Sequence, residues 1–268
     1  MTTRTFPLDG PIELSVRIGH GAVFVDTDDD LREATVRLEA GKSAGDLLAQ
    51  TSVELEGRVL TVSAPRPGGL FDLPVFGRRS QRSLQVHVRV PSGTPVKIST
   101  FTAPITVTGR VGRTDLAFGS ADVAVRHVDG DLRLRYGNGS AKAVQVTGSV
   151  QLRAGSGSAV FGEIGAGLSA GCGSGDLQAR VVHGAVHSRS GSGAVTLGEV
   201  HGDVDVASGS GDVTIGLPAG RPVRLDVHTG NGRVDSELPI EDRPRSTGPS
   251  IRLRARTGAG IVRLLRAA

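Results

Sequence analysis

A glycine-centred motif returns every 18 residues through the middle of this chain. It reads Phe101-Thr102-Ala103, Gly119-Ser120-Ala121, Gly137-Asn138-Gly139, Gly155-Ser156-Gly157, Gly173-Ser174-Gly175, Gly191-Ser192-Gly193 and Gly209-Ser210-Gly211, without slippage. A fixed period of this size marks one supersecondary unit stacked on itself, each copy burying its apolar face against its neighbours. Composition agrees. There are 39 Gly, no Trp and one Tyr, so large aromatic side chains cannot dominate the core. The Gly enrichment lacks a Gly-X-Y period, which excludes collagen, and 38% hydrophobic residues is too many for a disordered tract.

The copy from Asp203 to Gly220 shows the unit. Val204, Val206 and Ser208 alternate with Asp205 and Ala207; after the glycine turn, Val213 and Ile215 alternate with Thr214. A period of two is that of a strand with one buried face. Equivalent places in the other copies form files: Leu132, Val150, Leu168, Val186 and Val204; Ala141, Ala159, Leu177, Val195 and Val213; Ala143, Phe161, Ala179, Leu197 and Ile215. A corner file runs Val128, Val146, Ile164, Val182 and Val200. A one-residue slip would turn every file outward, so the register is strongly specified. The inward file Tyr136, Ala154, Cys172, Ser190 and Ser208 shrinks along the axis, and Cys172 in it reads as a buried thiol.

The expected fold is all-β: a single-domain parallel β-solenoid, right-handed, with 18-residue rungs. Residues 1–94 read as irregular early rungs and a cap, 95–220 as regular rungs, and 221–268 as final rungs and a second cap. Alternation at Ile12 to Ile18, Val53 and Leu55, Leu60 and Val62, and Leu84 to Val90 marks early strands. Ser43 to Gln50 reads as a short helix with Ser43 as its cap and Asp46 in its first turn. The stretch Pro239 to Ser250 reads as a charged loop.

The opening residues lack an apolar signal core, no run of 18 apolar residues exists, and Cys172 is the only cysteine. These features lead to the expectation of a soluble cytoplasmic protein. A net charge of +4 points mildly toward anionic partners.

Several segments resemble the bacterial putative-adhesin family, a β-strand-repeat domain of unknown function. They are Ile-x-Leu-x-Val-x-Ile-Gly-His-Gly-Ala-Val at 12–23, Val-x-Val-Pro-x-Gly-x-x-Val at 88–96, the Gly-Ser-Gly-Asp rungs at 173–177 and 209–213, and Arg-Leu-Arg-Ala-Arg-Thr-Gly-Ala-Gly-Ile-Val at 252–262. The resemblance covers nearly the whole chain. It implies a right-handed β-helix and an adhesive or scaffolding role, and it carries no catalytic residues over. Many family members bear a membrane or secretory segment; the resemblance here is to the cytoplasmic, actinobacterial-like form.

Other motifs were weighed on their chemistry. Gly41-Lys42-Ser43 lacks the glycine a phosphate-binding loop needs five residues before its second Gly, since position 36 is Val. Calcium-binding rolls need an unbroken oxygen ladder, but the place of Asp176 and Asp212 is held elsewhere by Pro104, Asp122, Ser140, Ser158 and Ala194. Asp26, Asp28, Asp29 and Asp30 read as a solvated acidic turn. His183 and His201 read as stacked corner residues rather than zinc ligands. No cofactor is expected.

Two features remain as candidate binding sites. Arg133, Arg135, Arg153 and Arg189 share an outward face, and seven Arg with no acid lie from Arg243 to Ala268. An arginine ladder can track a polyanion such as nucleic acid or an anionic envelope polymer. The apolar loop around Phe71, Leu73 and Phe76, within 66–82, either caps the core or docks on a partner. The reading is a non-catalytic interaction scaffold with a protein or anionic polymer as partner, and copies of the chain meeting at the solenoid ends. The alternatives are a weak polyanion binder and a carbohydrate-active β-helix enzyme, the latter disfavoured because the outer file Lys97, Asp115, Arg133, Gln151, Ser169, His187 and Asp205 holds no acidic cluster.

Overall fold

The computed structural model describes residues 1–41, 45–65, 83–238 and 250–267. The apolar loop with Phe71, Leu73 and Phe76, the Lys42-Ser43 pair and most of the 239–250 stretch lie outside the described residues. The chain packs as two units, Met1–Asp129 and Gly130–Ala268. Among the described residues both are all-β apart from one short helix, and no described helix is long and apolar enough to cross a membrane.

The first unit holds β1 (Thr2–Pro7), β2 (Glu13–Asp28), β3 (Glu33–Ala40), α1 (Gly45–Gln50), β4 (Ser52–Glu56), β5 (Val59–Ser63), β6 (Leu84–Pro91), β7 (Val96–Thr102), β8 (Ile105–Val111) and β9 (Thr114–Val128). β2 is itself a rung. Its first half lies in parallel between β5 and β7, with Leu14 opposite Leu60 and Val96. Its second half lies between β6 and β8, with Val23 opposite Val86 and Ile105. Leu14, Val16, Val23 and Val25 are each sealed at 0% exposure, as the alternation requires of a two-neighbour strand. The early region is not simply irregular rungs, however. β1 with β3, β3 with β6, and β4 with β5 pair antiparallel. The Gly57 turn at φ +59° lets the chain double back from β4 into β5 instead of coiling onward.

The second unit holds β10 (Leu132–Val146), β11 (Val150–Ala154), β12 (Ser158–Ile164), β13 (Leu168–Cys172), β14 (Leu177–Val182), β15 (Val186–Ser190), β16 (Val195–Val200), β17 (Val204–Ser208), β18 (Val213–Leu217), β19 (Val223–Thr229), β20 (Arg233–Ser236), β21 (Ile251–Thr257) and β22 (Ile261–Arg266). From β10 to β18 each half-rung pairs in parallel with the next. Leu132 faces Val150, Val150 faces Leu168, Leu168 faces Val186 and Val186 faces Val204. The other half matches, with Ala159 facing Leu177, Leu177 facing Val195 and Val195 facing Val213. Parallel strands covered on both sides bury continuous apolar ladders, and these residues are 0–2% exposed.

The glycine turns are demanded by how closely successive turns stack. A Cβ at Gly175 would stand 1.6 Å from the Gly157 carbonyl oxygen, and Gly157 itself has φ +106°. Serines of the shrinking file serve these turns: Ser190 and Ser208 accept the N–H of Gly193 and Gly211 at 3.1 and 2.9 Å.

The last strands stack out of order. β21 pairs with β17, with Val204 facing Leu253, and on its other side with β19, with Val223 facing Ile251. β22 likewise lies between β18 and β20. The later strand pair therefore fills the place beside β17 and β18, and β19 and β20 are left on the outside.

Candidate functional site

The parallel register assembles the arginine column. Arg135 faces Arg153 on the next strand, Arg153 faces Gly171, and Gly171 faces Arg189. Arg135, Arg153 and Arg189 are exposed, while Arg133, two residues before Arg135, is half-buried and donates from Nε to Gln151 Oε1 at 3.2 Å. Neighbouring parallel strands run about 4.8 Å apart, so Arg135 and Arg153 hold like charges side by side. Among the described residues Arg153 makes no ion pair, whereas Arg189 lies 4.0 Å from Asp205, which also receives His187 at 3.4 Å. A shallow hollow of about 400 Å³ runs beside the column over Gln151, Ser169 and His187, and Asp203 and Asp205 make one end of it acidic.

The C-terminal arginines are placed differently from what their run in sequence implies. Arg252 lies 2.9 Å from Asp203, Arg254 and Arg256 lie 2.9 and 3.7 Å from Asp226, and Arg263 lies 3.4 Å from Asp212. Strand pairing between distant segments supplies the acids that the local sequence lacks, so these four arginines are not a free basic surface.

The acidic residues of the repeat hold strands together. The Asp176 carboxylate accepts the N–H of Ala194, Asp212 that of Ile261, and Asp203 that of Arg252, each at 2.9 Å. Asp131 accepts both the N–H and the hydroxyl of Ser149, at 2.9 and 2.7 Å. An acceptor already filled by backbone donors is a strand clamp rather than a rung of an oxygen ladder for calcium. The acidic turn is also occupied: Asp28 pairs with Arg89 at 3.5 Å, Asp29 with Arg110 at 3.4 Å, and Asp26 accepts the Thr108 hydroxyl.

His183 and His201 do stack, with ring centres 5.2 Å apart. Each meets its own carboxylate, Glu163 at 2.9 Å and Glu199 at 3.1 Å. Among the described residues no group of three or more His, Cys, Asp or Glu side chains converges in metal-binding geometry. Burial pushes the Cys172 thiol up, away from the reactive thiolate. Tyr136 is pushed up to about 12, first by burial and then by Cys172, while its hydroxyl donates to the Ser158 carbonyl at 3.1 Å.

One site escaped the sequence reading. In the first unit a cleft of about 790 Å³ lies over the first half of β2, lined by Arg17, Gly19, His20, Ser63, Ser99 and Phe101 among others. Arg17 stands between Ser63 on β5 and Ser99 on β7. Phe101 is 62% exposed, and its ring meets that of His20 edge-on at 5.8 Å. The signal was present: Phe101 occupies the motif place that is Gly in every later regular copy. Treating Phe101 as a weak copy of the motif hid its departure from it.

Solved structures of similar extent share low identity with the chain. A putative adhesin from Parabacteroides merdae is 11% identical, with 99% of this chain and 96% of that one covered and a TM-score of 0.48. A putative lipid binding protein from Parabacteroides distasonis is 15% identical, with 99% and 96% covered and a TM-score of 0.47. A putative adhesin from Bacteroides fragilis is 13% identical, with 98% and 96% covered and a TM-score of 0.40. No curated protein matches the sequence. A family model described as Toastrack DUF4097 matches residues 23–250. Spanning most of the chain, that match shows that the chain belongs to the Toastrack DUF4097 family.

Proposed function

We propose that the protein is a non-catalytic binding scaffold built on a right-handed β-solenoid with 18-residue rungs. Its outer face engages a partner, and its polar residues are largely committed to the coil. The supporting observation is the use of the repeat's carboxylates: Asp131, Asp176, Asp203 and Asp212 each accept a backbone N–H of a neighbouring strand. Such groups hold shape and are not poised for proton transfer, which needs an acid or base facing a substrate site.

A second reading, weak polyanion binding, is favoured by one observation: Arg135 and Arg153 face each other on adjacent strands and both are exposed. An exposed arginine file at that spacing can follow a polyanion along its length. Gly171 interrupts the column, and a Cβ there would meet nothing closer than the Leu152 carbonyl oxygen at 4.0 Å.

Titration of heparin and duplex DNA at several salt concentrations tests the second reading against the first. A four-arginine site on duplex DNA should give a slope of roughly −3 to −4 in log affinity against log salt. Arg133, Arg135, Arg153 and Arg189 changed together to Ser should abolish that binding, and Gly171→Arg, which completes the column, should strengthen it several-fold. Binding unchanged in both variants would remove the polyanion reading and leave the scaffold reading alone.

A further inference from the structure

We infer that the cleft over β2 binds an acidic sugar unit, such as a uronate, of an anionic polysaccharide. The site is separate from the arginine column and does not depend on it.

Its outline follows from the register. On the outward face of β2, Arg17 is flanked by Ser63 and Ser99. The next outward place along β2 is Gly19, which lines the same hollow as Arg17. On β7 that hollow is bounded by Phe101, and on the β5 side by Ala64 and Pro65, where the Ala64 N–H donates to the Arg17 carbonyl at 2.9 Å. The Phe101 ring is supported on both sides. His20 meets it edge-on, and His20 is itself tied to the Thr102 hydroxyl. On the other strand, a Cβ at Gly119 would come within 3.3 Å of Phe101 Cδ2, so Gly119 makes room for the ring.

The groups present select the ligand. Arg17 makes no ion pair among the described residues. On its own strand the nearest outward acid is Glu13, about 13 Å away at some 3.3 Å per residue. A planar guanidinium can donate to a carboxylate in a two-point contact. The serine hydroxyls on either side each donate and accept, as ring hydroxyls of a sugar require. An exposed, supported phenyl ring offers an apolar plate for the C–H face of a pyranose. The volume falls in the range of about 300–1,000 Å³ typical of small-ligand sites. A phosphodiester chain would need a row of cations, and an acyl chain a closed apolar tunnel. Among the described residues the cleft offers one cation, two hydroxyls and one ring, which fit a single acidic sugar better than either.

Isothermal titration of the full chain with trigalacturonate, neutral maltotriose and a short oligothymidylate tests this. Trigalacturonate should bind with a submillimolar Kd at low salt, and maltotriose at least tenfold more weakly. Arg17→Gln and Phe101→Ser should each weaken trigalacturonate at least tenfold. Phe101→Tyr should retain it, which guards against loss of fold, and so should Arg135→Ser combined with Arg153→Ser. Four results would each overturn the assignment: no trigalacturonate binding, equal binding by Arg17→Gln, tighter binding of oligothymidylate, or loss of binding in the column variant.

Discussion

β17 and β19 carry the same pattern and meet different fates. Val204 and Val206 on β17 are 2% and 0% exposed. On β19 Val223, Leu225 and Val227 alternate just as regularly, yet Leu225 keeps 36% of its surface, and Val234 on β20 keeps 43%. Both strands form, because alternation and β-branched residues suit a pleated ladder. Among the described residues only β17 has strands on both sides. In a stack, a residue's burial is a property of the neighbouring rungs as much as of its own strand.

The largest test of this contrast is a buried charge. Leu197→Asp should destabilise the second unit by about 4 kcal/mol or more, since a carboxylate would enter a ladder place at 0% exposure. Leu225→Asp should cost within about 1 kcal/mol, and Thr196→Asp, beside Leu197 but outward, should be equally mild. Urea denaturation gives all three. Equal losses at Leu197 and Leu225 would mean that the β19 face is covered in solution.

A smaller contrast lies in the glycine turns. Gly175→Ala drives a Cβ to 1.6 Å from the Gly157 carbonyl oxygen, between rungs that cannot part. It should cost about 1–3 kcal/mol. Gly230→Ala meets the Gly258 carbonyl oxygen at 2.6 Å, but its turn belongs to the outer strand pair, which can shift. Its cost by thermal melting should be less than half as large.

The smallest effect concerns how β21 is pinned against β17. The Arg252 N–H, then its guanidinium, hold the Asp203 carboxyl below its ordinary value of 3.8. A carboxylate lowered on folding contributes stability above that value and loses it as pH falls through the folded value. Asp203→Asn should therefore cost less than about 1 kcal/mol at neutral pH, because the pair is exposed. The gap between wild type and variant should close below pH 3.8. A gap that persists or widens in acid would show that the ion pair does not pin the strand.

Much of the second unit was legible because two independent constraints coincide there. Side chains alternate faces along a strand, and stacked turns leave no room for a Cβ, so apolar period and glycine spacing report the same register. The place of Arg135 beside Arg153 followed from that register alone. The early region was less legible. Val53, Leu60 and Leu84 mark strands, but antiparallel pairing of β3 with β6 and of β4 with β5 leaves no fixed period to read. The helix at Gly45–Gln50 was legible from its short helical signature.

The sequence by itself determined the all-β class, the inward files from Leu132 to Ile215, and the outward arginines, because alternation and steric exclusion act over a few residues. Tertiary structure alone decided that β21 and β22 enter between earlier and outer strands, that Arg252 and Arg263 find Asp203 and Asp212, and that Arg17 shares a cleft with Phe101. Those contacts join residues 49 and 51 apart in the two ion pairs, and their partners are set by which strands become neighbours. Local patterning makes a strand, but only the closing of long loops chooses what lies beside it.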